Sequence, residues 1–153
     1  MISCKLIFKR IHQNPIFITL ASFVVIILLQ VFFGIIDETF LHISTENPIN
    51  KYPFKEKMFL GVILAPILET FICQYLSFRL IKIFTKNPIF IIGVSSLFFA
   101  ANHYYNWLYV FIIFFIGIVL SYHYYSIQKI SRYAFWLTVL LHAGNNFVAL
   151  ISS

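Results

Sequence analysis

The sequence predicts an all-α integral membrane protein of about five transmembrane helices in one bundle, with a cytoplasmic N-terminus. Three observations lead there. Hydrophobic residues make up 61% of the 153 residues and charged residues 10%, against about 45–50% and 25% in ordinary soluble domains. A soluble core of this size could not hide so much apolar surface behind a wettable exterior. The apolar residues also fall in stretches of the length that hydrocarbon demands, about 20 residues for a helix. Finally, the in–out alternation of a membrane barrel is absent, and the bilayer forces every other backbone to pair within a helix. A soluble globular domain, a disordered tail and a secreted disulfide scaffold are excluded.

The elements follow in order. Residues 1–14 are a cytoplasmic N-terminal segment. Pro15 to Ile36 is a 22-residue run without a charge. It is longer than the roughly 7–15 residues of a cleavable signal and has no small-x-small site after it, so it is a retained first span, 15–36. A polar stretch, Asp37–Lys57, holds Pro48 and Pro53. The second span runs from Met58 to about Phe84, and Lys86-Asn87-Pro88 breaks it. From Pro88 to Gln128 there are 41 residues without Asp, Glu, Lys or Arg. One helix of that length would be about twice as long as the bilayer core is thick. It must fold back near Asn102-His103-Tyr104-Tyr105-Asn106, giving spans three and four. Span five runs from Tyr133 to about Ile151. All of residues 1–153 form one membrane domain, without repeats or low-complexity tracts.

Charge sets the orientation. The N-terminal segment and the connections after spans two and four hold eight of the eleven Lys and Arg (Lys5, Lys9, Arg10, Arg79, Lys82, Lys86, Lys129, Arg132). The other side holds Lys51, Lys55 and Lys57, diluted by Asp37, Glu38, Glu46 and Glu56. The excess of cations puts the N-terminus in the cytoplasm and the C-terminus outside. The net charge of +6 therefore reflects orientation signals rather than a nucleic-acid surface. Cys4 and Cys73 form no disulfide framework. Tyr104, Tyr105, Trp107, Tyr124, Tyr125 and Trp136 lie near span ends, as interfacial aromatics do. His123 reads as an interfacial residue, His12 and His42 as solvated, Gly117 as a close-packing position and Cys73 as a small apolar filler.

One acid stands apart. Glu69 lies inside the second span, in Ala65-Pro66-Ile67-Leu68-Glu69-Thr70. An ionisable residue at membrane depth costs about 2.5–3.5 kcal/mol or more and defaults to a functional role. His103 ends the Phe99–His103 block, and His142 and Asn146, four apart, share a helix face. An apolar surround disfavours the charged carboxylate and makes it a stronger base towards bound water. Imidazole can share the proton, and His and Asn donors can stabilise a tetrahedral oxyanion. Together they describe amide hydrolysis, weighed against a role for each residue as polar packing glue between helices.

These blocks resemble the CPBP family of intramembrane proteases, which includes the CAAX prenyl endopeptidases and the bacterial Abi proteins. Its pattern is Glu-Glu-x-x-x-Arg, then Phe-x-x-x-His, then His-x-x-x-Asn or Asp on three helices. Glu69 matches the first Glu, Phe99 and His103 the second block, His142 and Asn146 the third. The resemblance covers residues 58–151 as a four-helix core and leaves the first span outside. Thr70 stands at the second Glu and Gln74 at the Arg, so a supporting acceptor and the cation that would orient it are both replaced. The resemblance implies an intramembrane endopeptidase. Glu69 would activate water with the help of His103, while His142 and Asn146 would bind the oxyanion. It needs no cofactor, although zinc on Glu69, His103 and His142 is the competing possibility. Its partners are the bilayer and a peptide or membrane-protein substrate. Its home is the cell membrane as a multi-pass protein, in a bacterium the cytoplasmic membrane.

Other protease types lack their residues. There is no His-Glu-x-x-His and no Asp in a span, and Gly93-Val94-Ser95-Ser96 is only a faint rhomboid-like serine motif. Two non-protease readings stay open. One is an inactive family member acting as a membrane immunity or scaffold protein, which the changes at Thr70 and Gln74 motivate. The other is a proton-coupled transporter, disfavoured because no repeated halves are visible.

Overall fold

The computed structural model describes residues 14–41, 48–104 and 107–152. His12, Cys4, His42, Glu46 and Tyr105 lie outside them. Five helices make up the bundle: α1 (Pro15–Ile36), α2 (Phe54–Phe84), α3 (Pro88–Ala101), α4 (Trp107–Ile127) and α5 (Ala134–Ser152). No strand occurs among the described residues. Four are long and apolar enough to cross a bilayer, α1 being extended to Phe40 by a π-helical turn; α3 is shorter. Consecutive helices alternate in direction, so the bundle has two ends. One gathers the starts of α1, α3 and α5 with the finishes of α2 and α4. The other gathers the opposite termini.

Local sequence sets the helix starts. Asn14 accepts from the amides of Ile16 and Phe17, with Pro15 in the first turn. Asn87 does the same for Ile89, ahead of Pro88. Both pairs satisfy orphan amides and use the fixed φ of proline.

The helix carrying Glu69 is the irregular one. Within α2, π-helical stretches at Met58–Leu64 and Thr70–Leu76 flank an α-helical Ala65–Glu69. Proline explains part of this. The Ala65 amide reaches back to the Leu60 carbonyl in the wider register. The next amide in that register would serve Gly61, but residue 66 is proline and has none. The freed Gly61 carbonyl instead accepts from the Asn146 side chain of α5, at 2.8 Å.

The end of the bundle holding Arg79, Lys82, Lys86, Lys129 and Arg132 is closed. Phe78, Ile81, Ile91, Tyr124, Ile127 and Ala134 pack there as one buried cluster. Small residues bring α2, α3 and α4 together just above it. Ser95 donates to the Cys73 carbonyl and accepts from Ser121 at 3.1 Å, and Ser77 lies 3.2 Å from Ser95. Ser95 and Ser96 are thus fully buried packing residues, in the manner of small-residue interfaces in membranes. Gly117 is a close approach as expected: an added Cβ would lie 3.0 Å from the Phe99 ring and 3.3 Å from the Ser96 backbone.

Two readings of the aromatic and histidine residues are corrected. His123 is fully buried rather than interfacial. Its Nε2 lies 2.9 Å from the Thr19 hydroxyl and its Nδ1 2.9 Å from the Thr138 hydroxyl. It ties α1, α4 and α5 together, and each of these hydroxyls also lies 2.8 Å from a carbonyl of its own helix, Pro15 for Thr19 and Ala134 for Thr138. Tyr124 is also buried, edge-on to Phe78. Trp107 and Trp136 are exposed.

Candidate active site

The short α3 opens the site. Ser96 faces Ser121, and Phe99 faces Gly117. The antiparallel register therefore brings Ala101 about level with Phe115. Roughly the first two turns of α4 run on without α3 beside them. The polar turn at Asn102 and His103 lies at the depth of the middle of α2 and α5, with His103 half-buried on the cavity and Asn102 and Tyr104 exposed at the side of the bundle. That removes the mismatch in depth which five full spans would impose on His103, His142 and Glu69.

A cavity of about 620 Å³ occupies the space left. All five helices line it, and all four sequence-derived residues face it: Glu69, His103, His142 and Asn146. A second groove, mostly apolar, runs along the outer side of α2 past Leu60, Leu64 and Leu68 and also reaches Glu69.

Glu69 and His142 are the closest functional pair, with Oε2 3.5 Å from Nε2. That is slightly long for a direct hydrogen bond and short enough for proton exchange once a water or substrate tightens the site. The Glu69 side chain is 25% exposed towards the cavity, and His142 is buried. His142 Nδ1 has no partner among the described residues. His103 lies across the Phe99 ring, whose centroid is 5.3 Å from each imidazole. The His103 Nδ1 donates to the Phe99 carbonyl at 3.0 Å. A carbonyl only accepts, so this bond fixes the tautomer and leaves Nε2 as the basic nitrogen of the neutral ring. Asn146 uses Nδ2 on the Gly61 carbonyl and accepts from Asn145 at 3.3 Å. Its amide braces α5 against the π-turn of α2.

Among the described residues no three of His, Cys, Asp and Glu converge as a metal-ligand set. Glu69, His103 and His142 share a cavity without the tight tetrahedral grouping that zinc requires.

Thr70 and Gln74 are fully buried and do not line the cavity. The Thr70 hydroxyl and both Gln74 amide atoms lack partners among the described residues. The structure adds residues that motif reading missed. Asn102 lines the cavity, donates to the Phe98 carbonyl and reaches the Cys73 sulfur. Cys73 is thus a filler that also accepts a bond. Asn145 is buried on the wall. From α1 come Gln30 and Asp37, and from the start of α2 comes Lys57. Gln30 had a signal, as an amide inside the uncharged run of α1. The place of Asn145 could not be told from a neighbouring packing residue.

Comparison with known proteins adds the family. A family model described as type II CAAX prenyl endopeptidase Rce1-like matches residues 56–148. The match spans α2 to most of α5, includes Glu69, His103, His142 and Asn146, and leaves α1 outside. Neither a curated protein nor a solved structure matches the chain.

Proposed function

The chain belongs to the type II CAAX prenyl endopeptidase Rce1-like family, and from that premise we propose that it is an intramembrane endopeptidase with Glu69 as its general base. The observation that carries this reading is the carboxylate of Glu69, inside a bilayer-length helix, 3.5 Å from the His142 imidazole in a common cavity. Glu69 takes a proton from a bound water while the water oxygen bonds to the peptide carbonyl carbon. The carbonyl electron pair moves to oxygen, and polar donors of the cavity wall stabilise that charge. Collapse breaks the C–N bond as the proton passes, directly or through His142, to the leaving nitrogen. The products are a carboxylic acid and an amine, which exchange the remaining proton to become a carboxylate and an ammonium.

His103 and His142 both pack against the Phe99 ring, and of the two only His142 lies within 4 Å of the Glu69 carboxylate. The resemblance gives His103 to the base and His142 to the oxyanion; the distance to Glu69 favours His142 beside the base. Asn146 gives one N–H of its amide to Gly61, which holds α5 in position, and keeps the second N–H for the oxyanion. The reaction is metal-free in this reading, so a chelator leaves the rate unchanged. Glu69→Gln keeps the shape and removes the base. Its membranes should accumulate uncut peptides, with the variant still folded. Undiminished cleavage by that variant overturns the reading.

A second reading is an inactive member that captures a partner. It is favoured by one feature, the replacement of the family's Glu and Arg by Thr70 and Gln74. In that case Glu69→Gln retains partner capture and its protective effect on cells.

A further inference from the structure

We infer that the cavity opens on the extracytoplasmic face of the membrane and that its substrate is a polypeptide segment presented from that side. The inference rests on the peptidase reading for the word substrate, and on geometry and charge for the side.

Every helix lines the cavity with the same end. α1 contributes Gln30 and Asp37 from its finish, and α2 contributes Lys57 and Gly61 from its start. α3 gives Phe99 and the turn after it, α4 gives Tyr109 and Ile112 from its start, and α5 gives Ala149 and Ser152 from its finish. None of the cavity-lining residues comes from the opposite termini. There the Phe78–Tyr124 cluster and the Thr19–His123–Thr138 bridge close the bundle.

The charges divide along the same line. The closed end carries Arg79, Lys82, Lys86, Lys129 and Arg132 and, among the described residues, no Asp or Glu. Lys5, Lys9 and Arg10 precede α1 in the sequence. These cations are held at the surface: Lys129 lies 3.7 Å from the centre of the Tyr125 ring, and Lys82 bonds to Gln128 at 2.8 Å. The open end carries Lys51, Lys55 and Lys57, with Asp37, Glu38 and Glu56 among them. Lysine and arginine bias near span ends fixes orientation, with the rich side in the cytoplasm. The closed end is therefore cytoplasmic and the cavity mouth faces out. Asp37 and Lys57, of opposite sign, both line that side of the cavity. A mouth with both charges suits a polar peptide segment better than a lipid tail alone.

The test uses single cysteines and a membrane-impermeant maleimide, with Cys4 replaced by Ser and buried Cys73 kept. Phe40→Cys lies at the open end and Ile130→Cys at the closed end, and neither lines the cavity. The expected result is labelling of Phe40→Cys in intact cells and of Ile130→Cys only after permeabilisation; the reverse pattern overturns the orientation. For the side of entry, cells carrying Ser152→Cys at the mouth, or Ala149→Cys should the first be inactive, are compared before and after labelling. The readout is cleavage of the membrane peptides that accumulate in Glu69→Gln cells. Cleavage should fall to background after labelling from outside. Cleavage that survives complete labelling overturns entry from that face. Neither labelling pattern depends on Glu69, so a failure here leaves the peptidase reading standing, and active-site failure leaves the orientation standing.

Discussion

The two ends of the bundle are built from the same apolar residue types and obey different rules. At the closed end most polar groups are paired: His123 has two threonines, the serines share one network, and Asn14 and Asn87 cap their helices, while the Gln128 amide nitrogen is buried without a partner among the described residues. At the open end a helix is broken by π-turns, α3 stops early, and Glu69, His142, Asn145 and Asn146 surround a cavity. The membrane penalises unpaired polar groups everywhere. Gathering polar side chains around a cavity at one end while pairing most of them at the other divides the molecule into a scaffold and a reactive half. Local irregularity is where function is expected in a chain whose other levels agree.

Substitutions can break or sharpen that division. After Glu69 itself, the largest effect is expected from His142→Ala, which removes the group beside Glu69 and should slow cleavage by about 10²–10⁴-fold, with a smaller loss for His103→Ala. Steady-state rates on an accumulated peptide check it, and equal losses would mean that proximity to Glu69 does not set the roles. Gly117→Ala comes next. Its methyl group meets the Phe99 ring and the Ser96 backbone, so α3 and α4 must separate. Destabilisation of about 1–3 kcal/mol should come with reduced cleavage, because both imidazoles pack against Phe99. Thermal unfolding in detergent and the rate are read together.

His123→Ala belongs to the other half. It should lower stability by about 0.6–1.7 kcal/mol, the range for interhelical hydrogen bonds in membranes, and leave the turnover of folded protein unchanged. A selective loss of turnover would show that the closed end takes part in the chemistry. The smallest effect is expected from Gln74→Leu. Both amide atoms of Gln74 are buried without partners, so an apolar replacement should be neutral or raise stability, since it removes unsatisfied groups. A strong loss of activity would return Gln74 to the site.

Much of this division was legible in the sequence. The first span was bounded by Pro15 and by the charge at Asp37, and the helix runs from Pro15 to Ile36. The four site residues stood out because polar groups are rare in such segments, and the cavity gathers them all. Three things were hidden. The length of α3 was masked by an apolar composition that continues into α4, so the fold-back looked like two full spans. The Gly61 carbonyl that Pro66 leaves unserved is satisfied by Asn146, 85 positions away, a pairing that no local pattern encodes. His123 resembled an interfacial residue because its partners, Thr19 and Thr138, come from two other helices. Tertiary pairing decided each of these, and one-dimensional spacing does not carry it.

The central claim is that Glu69 in the open half is the base, while stability resides in the closed half. The most direct measurement follows Glu69→Gln for cleavage and for thermal unfolding in the same preparation. The account predicts cleavage at background with an unfolding temperature at or above that of the parent, because a neutral amide replaces a carboxylate held in an apolar cavity. Retained cleavage by a folded variant contradicts it.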